Sequence, residues 1–461
     1  MSYGDNLHYE KFADGSVKCI EDEIPFDLPE GWEWVRLGSV GDMTLGKMLD
    51  VTKNKGTLRP YLRNINVRWG AFELSDVLEM RFEDDELERY SIRHGDLVIC
   101  EGGEPGRCAV WQSEEVVFYQ KALHRVRAIE VLPEFLYYVI RHFIISNQYE
   151  RYYTGTTIKH LTGQSLRIIP IPLPPLNEQK LIVEHLQRII EEIDKIETEK
   201  TEALSLVSFA KSKILDLAIR GQLVPQDPDD EPASVLLERI RAEKEELIKQ
   251  GKIKRNKKES IIFRGEDNSY YVRQDTHMES IDEQFIFELP DNWEWCSLLN
   301  IAKIELGKTL DSAKNIGTNY PYLRSVNVRW NEVDLSDLKE MRFEPEELDR
   351  YTVRHNDLLI CEGGDVGRSC VWTDEKEILY QNALHRVRFY GGCNPFYFMY
   401  YMMYYESCGI IKALCKGVTI KHLTGNVLSL IPFALPPIEE QDRIVKRLNR
   451  IFVLLDSIIC D

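Results

Sequence analysis

The sequence predicts an α+β protein with two tandem copies of one domain, separated by long helices that form an antiparallel coiled coil. Three observations lead to this fold class: an internal repeat at an offset of 261 residues, short strand patterns inside each copy, and a heptad pattern after each copy. An offset of this length indicates duplicated domains, because the units of a solenoid are much shorter.

The repeat is nearly free of gaps. PYLRNINVRW at 60–69 returns as PYLRSVNVRW at 321–330, with eight of ten residues identical. The offset then becomes 262, and TIKHLTG at 157–163 recurs unchanged at 419–425. A single one-residue insertion over such a length means that both copies adopt the same fold.

Each copy combines short strands with one aromatic helix. DLVIC at 96–100 and DLLIC at 357–361 are apolar runs bounded by turn residues, which favours strands. Helix-like aromatic stretches follow at 134–144 and 395–405. The second stretch is about half as long as a membrane-spanning helix needs to be. We therefore expect a buried helix there, and no membrane partner.

A proline stop and a heptad pattern follow each copy. PLPPLNEQK at 172–180 and ALPPIEEQD at 434–442 both precede amphipathic helices. Ten of the eleven seam positions in the first helix are apolar, which is typical of a coiled coil. An amphipathic helix on a domain surface would explain any single turn, but not five consecutive heptads. The seam positions are Ile182, Leu186, Ile189, Ile193, Ile196, Lys200, Ala203, Val207, Ala210, Ile214 and Leu217, then Ile444, Leu448, Ile451, Leu455 and Ile458 in the shorter second helix.

The linker between the copies begins with the Pro/Asp-rich break GQLVPQDPDDEPAS at 221–234. A charged helix follows and ends in the basic run KQGKIKRNKK at 249–258. This run is either a solvated loop or an arm that contacts phosphates. The predicted segments are a first domain at 1–172, a central helical region and linker at 173–260, a second domain at 261–434 and a short C-terminal helix at 435–461.

Composition restricts the possible functions. The net charge of −18, taken alone, argues against nucleic-acid binding, although partner subunits could supply phosphate contacts. Ten cysteines form no CxxC pair and no cluster with zinc-ligand spacing. We therefore expect a reducing cytoplasm and no metal site.

No catalytic motif is complete. GDMTLGKM at 41–48 matches a phosphate-binding loop except for Met48, which replaces the magnesium-binding hydroxyl. AKIELGKT at 302–309 restores the hydroxyl but replaces the first glycine with Ala302. A nucleotide-hydrolysing enzyme is therefore a weak alternative, and we predict no catalytic residue.

Basic and amide side chains repeat beside aromatic residues. Arginine and lysine suit guanine edges and phosphates, whereas asparagine and glutamine suit adenine edges. The repeated set predicts a DNA-reading surface, although any single member could instead stabilise its domain. The predicted DNA contacts are Lys47, Arg63, Asn66, Arg68, Gln120, Lys121, His124 and Lys159 in the first copy, and Lys308, Arg324, Asn327, Arg329, Gln381, Asn382, His385 and Lys421 in the second. The same stretches also repeat Arg125, Arg127 and His160 as Arg386, Arg388 and His422.

The order of these motifs resembles the specificity subunit of a type I restriction–modification system. The resemblance covers essentially the whole chain, and its best-matching pieces are LPEGWEWVRL at 28–37, TIKHLTG followed by PIPLPPLNEQ, and the break at 221–234. It implies two target-recognition domains, each reading one half of a split DNA site, held by antiparallel helices. It also implies two partner methyltransferase subunits that bind S-adenosylmethionine and methylate flipped-out adenines. A restriction subunit that uses ATP and Mg²⁺ can join them, and this chain itself would hold no cofactor.

Because the two copies are so similar, we expect an interrupted, near-palindromic target with similar inverted half-sites. One departure from the family is that the second helical region stops at Asp461, well before the length of the first. Two alternatives remain: a modification-only or regulatory form of such a subunit, and a coiled-coil scaffold that does not bind DNA. Positions where the half-sites could differ are Asn64/Ser325, Gly70/Asn331, Pro105/Val366 and Lys121/Asn382.

Overall fold

The chain folds into two compact units, residues 1–197 and 198–461. The structure, a computed structural model, describes residues 7–155, 158–255, 260–265, 267, 269–274, 277–281, 287–311, 315–415 and 422–460. The two units meet within one long helix, so the compact division does not follow the four segments predicted from the sequence, which stay a prediction.

The first unit contains two four-stranded sheets with the strand orders β6-β5-β10-β7 and β4-β11-β8-β9. Strands β5 and β10 run parallel, and the other pairs in these sheets are antiparallel. The strands are β1 (Tyr9–Lys11), β2 (Val17–Cys19), β3 (Glu33–Arg36), β4 (Gly41–Leu45), β5 (Thr57–Leu62), β6 (Leu78–Phe82), β7 (Ser91–Ile92), β8 (Leu97–Cys100), β9 (Cys108–Val110), β10 (Val117–Tyr119), β11 (Leu123–Ala128) and β12 (Pro170–Leu173). The helices are α1 (Pro133–Ile145), α2 (Gly163–Arg167) and α3 (Leu176–Ile219), the last of which continues into the second unit.

Strand β8 lies at the centre of this unit and is buried on both faces. Leu97 and Ile99 belong to the apolar cluster that includes α1. Val98 and Cys100 point the other way, into a cluster shared with the sheet that contains β5, β7 and β10. This alternation follows from the two-residue period of a strand, and it explains why the DLVIC pattern is apolar throughout.

The second unit repeats this architecture, with the sheet orders β21-β18-β25-β22 and β17-β26-β23-β24. The prediction of a tandem α+β repeat is therefore confirmed. Its strands are β13 (Ile261–Arg264), β14 (Tyr270–Gln274), β15 (His277–Ser280), β16 (Glu294–Ser297), β17 (Ala302–Leu306), β18 (Thr318–Leu323), β19 (Val328–Arg329), β20 (Glu332–Val333), β21 (Lys339–Phe343), β22 (Thr352–Val353), β23 (Leu358–Cys361), β24 (Ser369–Val371), β25 (Ile378–Tyr380), β26 (Leu384–Phe389) and β27 (Pro432–Leu435). Its helices are α4 (Ala233–Lys249), α5 (Leu298–Ile301), α6 (Leu348–Tyr351), α7 (Pro395–Ser407), α8 (Ile410–Leu414), α9 (Gly425–Leu430) and α10 (Ile438–Cys460).

The aromatic helix α7 is buried, as its composition predicts. The Tyr397 hydroxyl donates to the Ala434 carbonyl at 2.8 Å, and the Tyr401 hydroxyl accepts from the Ala434 N–H at 3.1 Å. These bonds satisfy polar groups that would otherwise be costly to bury. Across the described ranges, none of the helices combines the length and apolarity needed to cross a membrane.

Helix α4, from the linker, packs into the core of the second unit. Ala233, Leu236 and Ile240 are fully buried on one face of this helix. The Lys244 ammonium donates to the Leu299 carbonyl at 3.1 Å. The linker therefore supplies part of this core and is not a free spacer. The end of the predicted basic run, residues 256–258, lies outside the described residues.

The two heptad helices differ in how much of the predicted seam they bury. Ile193 and Ile196 of α3 are 49% and 63% exposed. Within the second unit, Val207 of α3 is buried, and so are Ile444 and Leu448 of α10. Burial along the whole seam is not observed, so the long antiparallel coiled coil stays a prediction.

Candidate nucleic-acid interface

The ends of several strands meet at one end of the first unit. The N–H of Lys47, just after β4, donates to the Tyr119 carbonyl at 3.1 Å. The N–H of Gln120, just after β10, donates to the Leu62 carbonyl at 3.1 Å. Backbone bonds of this kind join the loops that follow different strands. We define the loop end of the first unit as residues 46–56, 63–66, 101–106, 120–122 and 158–162.

The second unit contains the same backbone network. The Lys308 N–H donates to the Tyr380 carbonyl at 3.2 Å, and the Gln381 N–H donates to the Leu323 carbonyl at 3.0 Å. The repeated connections show that the loop arrangement belongs to the domain itself. The loop end of the second unit is residues 307–311, 315–317, 324–327, 362–367, 381–383 and 422–424.

Two predicted DNA-contacting lysines are buried. Lys47 and Lys308 are 5% and 6% exposed. Lys47 forms ion pairs with Glu83 and Glu86, and Lys308 forms one with Glu347. Burial alone would lower the pKa of Lys47, but these hydrogen bonds raise it above its ordinary value. The ammonium groups therefore anchor the base of a loop instead of facing a phosphate, which also counts against a nucleotide-binding loop here.

Asn66 holds the turn that follows β5. Its Oδ1 accepts from the Arg63 N–H at 2.9 Å, and its Nδ2 donates to the Glu73 and Asp76 carbonyls at 2.9 and 3.0 Å. Asn327 repeats all three bonds in the second unit. Both side chains are buried, and all three bonds are to backbone partners, so these amides shape the loop end from within.

Arg63 and Arg324 perform a related structural task. The Nη2 of Arg63 donates to the Asp76 carbonyl at 2.7 Å and to its carboxylate at 2.8 Å. Arg324 makes the corresponding bonds with Asp337 at 2.6 and 2.7 Å. These guanidinium groups brace the same turn, and their side chains are mostly covered.

The two predicted histidines are also inside their domains. The Nε2 of His124 bonds to the Leu161 carbonyl at 3.1 Å, and that of His385 bonds to the Leu423 carbonyl at 2.9 Å. A carbonyl only accepts, so Nε2 carries the proton. Burial lowers the pKa of both imidazoles. Neutral histidines therefore tie the last segment of each domain to its central strand.

The repeated arginines of β11 and β26 are ion-paired within the sheets. The Arg125 side chain is 3% exposed and pairs with Asp42 at 2.7 Å. Arg386 is equally buried and pairs with Glu305. The next arginine of each strand pairs likewise, Arg127 with Asp96 at 2.8 Å and Arg388 with Asp357 at 2.6 Å.

The remaining predicted contacts are accessible at the loop ends or beside them. Lys159 donates to Glu150 at 2.8 Å while staying exposed. Lys421 lies outside the described residues. The exposed side chains are Arg68, Lys121, Lys159 and Arg329, and the half-buried ones are Gln120, Gln381 and Asn382.

One predicted difference between the copies has a backbone explanation. Gly70 and Asn331 both have positive φ angles, of 72° and 60°. Glycine and asparagine are the residues that adopt this left-handed conformation most readily. Either residue therefore allows the same turn, and the difference between the copies at this position is no evidence about base recognition.

Residues 48–55, between β4 and β5, form an exposed loop with apolar side chains that was not among the predicted contacts. Met48 is 59% exposed and Val51 is 86% exposed. The signal in the sequence is that the two copies share four residues of this loop and differ at the other four. The shared residues are Leu49, Asp50, Lys53 and Asn54.

The described parts of the chain contain no cluster of metal-ligating side chains. There, three or more His, Cys, Asp or Glu side chains never come together in a group that could hold a metal ion. What the loop ends offer is a braced surface carrying a few exposed basic and amide groups. Such groups suit hydrogen bonds to phosphates and base edges.

The family model for the type I restriction modification DNA specificity domain matches residues 29–206 and 290–458. The chain belongs to this family. Each of the two matched stretches holds one copy of the repeat and part of the helix after it. The chain is a DNA-recognition subunit with no catalytic role of its own.

Relatives with this function match over nearly the whole chain. The EcoAI specificity subunit of Escherichia coli is 24% identical over 94% of this chain and 79% of its own length. The EcoKI specificity subunit of E. coli strain K12 is 23% identical over 94% of this chain and 84% of its own length. Both are named as specificity subunits of type I restriction enzymes.

Two solved structures share the fold. A chain studied for complex assembly and conformational transition of the type I R-M system aligns with a TM-score of 0.61 and 21% identity, covering 94% of this chain and 93% of that one. The HsdS subunit from Thermoanaerobacter tengcongensis aligns with a TM-score of 0.54 and 21% identity, covering 94% and 92%. These likenesses confirm the tandem architecture.

Proposed function

We propose that this specificity subunit reads a split, near-palindromic DNA site, one half with each loop end, and directs adenine methylation there. The observation that carries the proposal is the identical backbone network of the two loop ends, built from Lys47 and Gln120 in one unit and Lys308 and Gln381 in the other. Two copies of one reader fit two similar, inverted half-sites, because the symmetry of a DNA site mirrors that of the protein that reads it.

The exposed and half-buried members of the predicted set at the loop ends are the proposed DNA contacts, and the buried members position them. A side chain needs some exposure to reach a base edge or a phosphate without unfolding of the loop end. Lys421, although outside the described residues, stays in the proposal as the counterpart of Lys159. The proposed contacts are Arg68, Gln120, Lys121 and Lys159 with Arg329, Gln381, Asn382 and Lys421.

An antiparallel helix pair belongs to the same proposal. Lys211 of α3 pairs with Asp456 of α10 at 2.5 Å, inside the second unit. Further along the chain, Gln226 bonds to Glu440 at 2.6 Å. From Lys211 to Gln226, just after α3, the contacted residues of α10 thus run backwards from Asp456 to Glu440, as antiparallel packing requires.

Two methyltransferase subunits are the proposed partners, and a restriction subunit is a further one. Support comes from family membership and from the exposed seam residues Ile189, Ile193 and Ile196. A row of exposed isoleucines on a helix suits a protein partner. S-adenosylmethionine, ATP and Mg²⁺ would then be held by the partner subunits, in the cytoplasm.

The test is to co-express the chain with the methyltransferase encoded beside it and to map N6-methyladenine across the host genome. We expect a split motif with similar, inverted halves. A split motif with unrelated halves would contradict the two-fold reading while keeping the recognition role. A stable complex that adds no methylated motif would contradict the proposed function and favour a regulatory form.

A further inference from the structure

The loop 48–55 is ordered, yet its tip covers nothing in its own domain. The Asn54 Nδ2 donates to the Met48 carbonyl at 3.0 Å, and the Asp50 carboxylate accepts from the Thr52 N–H at 3.1 Å. Val51, at the tip, is nevertheless 86% exposed. Bracing a loop around exposed apolar side chains makes sense when those side chains meet another molecule.

The second unit keeps the frame of this loop and changes its exposed residues. Asn315 Nδ2 donates to the Thr309 carbonyl at 3.1 Å, as Asn54 does to Met48. Gly56 and Gly317 both have positive φ, and a Cβ at either would lie 2.0 Å from a backbone carbonyl oxygen. The residues that differ are Met48/Thr309, Val51/Ser312, Thr52/Ala313 and Lys55/Ile316.

Position 48 adjoins position 121, and both differ between the copies. The Lys121 N–H donates to the Lys47 carbonyl at 2.7 Å, which places Lys121 next to Met48. In the second unit the side chains themselves touch, because Asn382 Nδ2 donates to Thr309 Oγ1 at 3.4 Å. Two exchanged positions are therefore neighbours at each loop end.

The Asn382 amide is oriented and still has free hydrogen-bonding capacity. Its Oδ1 accepts from the Ala383 N–H at 2.5 Å, and one Nδ2 hydrogen is used by Thr309. An amide has two acceptor sites and two donor hydrogens, so one of each is left. One donor and one acceptor side by side match the N7 and N6 edge of adenine.

Lys121 favours a different base from the one that Asn382 favours. Its ammonium has three donors and no acceptor. The side chain is exposed, and within the described part of the chain it has no acidic partner. A group that can only donate suits the O6 and N7 acceptors of guanine and disfavours the N6 donor of adenine.

We infer that the pairs Met48/Lys121 and Thr309/Asn382 read the same position of the two half-sites, a guanine in the first and an adenine in the second. The inference rests on the proposed function, because it assumes that each loop end meets one half-site. It predicts that the two halves differ at this position for a stated chemical reason, although the domains are duplicates.

The test exchanges the pair in one unit only. The subunit carrying M48T/K121N is co-expressed with its methyltransferase, and the methylated motif is mapped beside that of the wild-type chain. We expect one guanine of the first half-site to become adenine, with preference reversed on the order of 10-fold or more, and the second half-site to stay unchanged. T309M/N382K should produce the opposite change in the second half-site only.

Q112T is the matched control. Gln112 is exposed, corresponds to Thr373, and lies at the opposite ends of the strands from the loop end. The Gln112 carbonyl bonds to His94, as the Thr373 carbonyl does to His355 in the second unit. Its motif should equal that of the wild-type chain.

The other possible results for M48T/K121N each support or contradict the inference. If M48T/K121N methylates the wild-type motif, the inference is wrong while the proposed function stands. If the variant complex forms but does not methylate, its binding preference is measured with a double-stranded DNA library randomised over the half-site. Selection of adenine in place of guanine then supports the inference, and any other selection overturns it. Absence of a motif with the wild-type chain would instead contradict the proposed function.

Discussion

The two units share their buried polar contacts and differ in what they expose. Asn66 and Asn327 make the same three bonds, and His124 and His385 tie down the same final segment. At the loop ends, by contrast, Lys121 of the first unit corresponds to Asn382 of the second. The residues that fix the geometry of these turns are retained, and among the proposed DNA contacts Lys121/Asn382 is the pair that differs. A duplicated domain can thus acquire a second specificity without a second fold.

The comparison also reveals covarying ion pairs. In the first unit Arg125 pairs with Asp42 and lies near Thr44. In the second unit Arg386 pairs with Glu305, the counterpart of Thr44, while the counterpart of Asp42 is Lys303. The acid has moved by two residues, which keeps it on the same face of the strand. Both units therefore keep a buried, ion-paired arginine, whereas the position of its acidic partner along the strand differs.

The largest effect is expected where the units differ most, at helix α4. Leu236→Ala should destabilise the second unit by about 2–5 kcal/mol, because it leaves a cavity in a packed core. Hydrogen exchange followed by mass spectrometry should show lost protection at residues 294–435 and unchanged protection at residues 33–173. Val235→Ala, on the exposed side of the same helix, is the control. Equal loss in both units would contradict the assignment of α4 to the second core.

The turn asparagines should respond alike. Asn66→Ala and Asn327→Ala each remove the partner of one backbone N–H and of the Glu73 or Asp334 carbonyl, while the Asp76 or Asp337 carbonyl keeps its bond from the arginine, so each should cost about 1–3 kcal/mol. Chemical denaturation followed by fluorescence measures both changes. Asn64→Ala, in the same turn, removes an amide that makes none of these three bracing bonds and should change stability much less. A large cost in one unit only would show that the two turns are not equivalent.

The buried histidines predict a dependence on pH. Because burial lowers the pKa of His124 and His385, the unfolded chain binds their protons more readily. Stability should therefore fall as pH decreases from about 7 through the ordinary histidine pKa of about 6.5. The melting temperature of His124→Gln/His385→Gln should fall less steeply over that range than that of the wild-type chain.

The smallest effect concerns phosphate contacts. Arg68→Ala and Arg329→Ala should each reduce the salt dependence of DNA binding by the complex, with the slope of log K against log salt falling by about 0.9. Fluorescence anisotropy at several salt concentrations measures this slope. Arg93→Ala, at the other end of the strands, should leave it unchanged. A reduced slope for that control would place DNA on a different face of the domain.

Local patterns and the repeat allowed much of the fold to be predicted. The strands at DLVIC and DLLIC and the buried helix α7 follow from their apolar runs, and the duplication needs no structure to be seen. The core role of α4 was missed because its charged composition resembles a solvated helix. Leu236 and Ile240 lie four residues apart on one face, which is the signal that could have identified it.

The candidate site could be predicted only in part. A basic residue kept for bracing repeats just as faithfully as one kept for binding, so repetition cannot separate Lys47 from Arg68. Burial separates them, and burial depends on acids that are distant in sequence, such as Glu83 for Lys47. Those acids repeat as well, Glu83 and Glu86 as Glu344 and Glu347. A paired search for repeated bases and acids would have marked the buried set.

The place of helix α4 has a consequence for building chimeras. Since Ala233, Leu236 and Ile240 complete the core of the second unit, a crossover placed after the helix would give the incoming domain a foreign core helix. A crossover in the Pro/Asp-rich stretch before Ala233 would transfer domain and helix together. The transferable module at this end of the chain therefore begins about thirty residues before its first strand, and shuffled libraries joined at that point should yield far more folded recombinants.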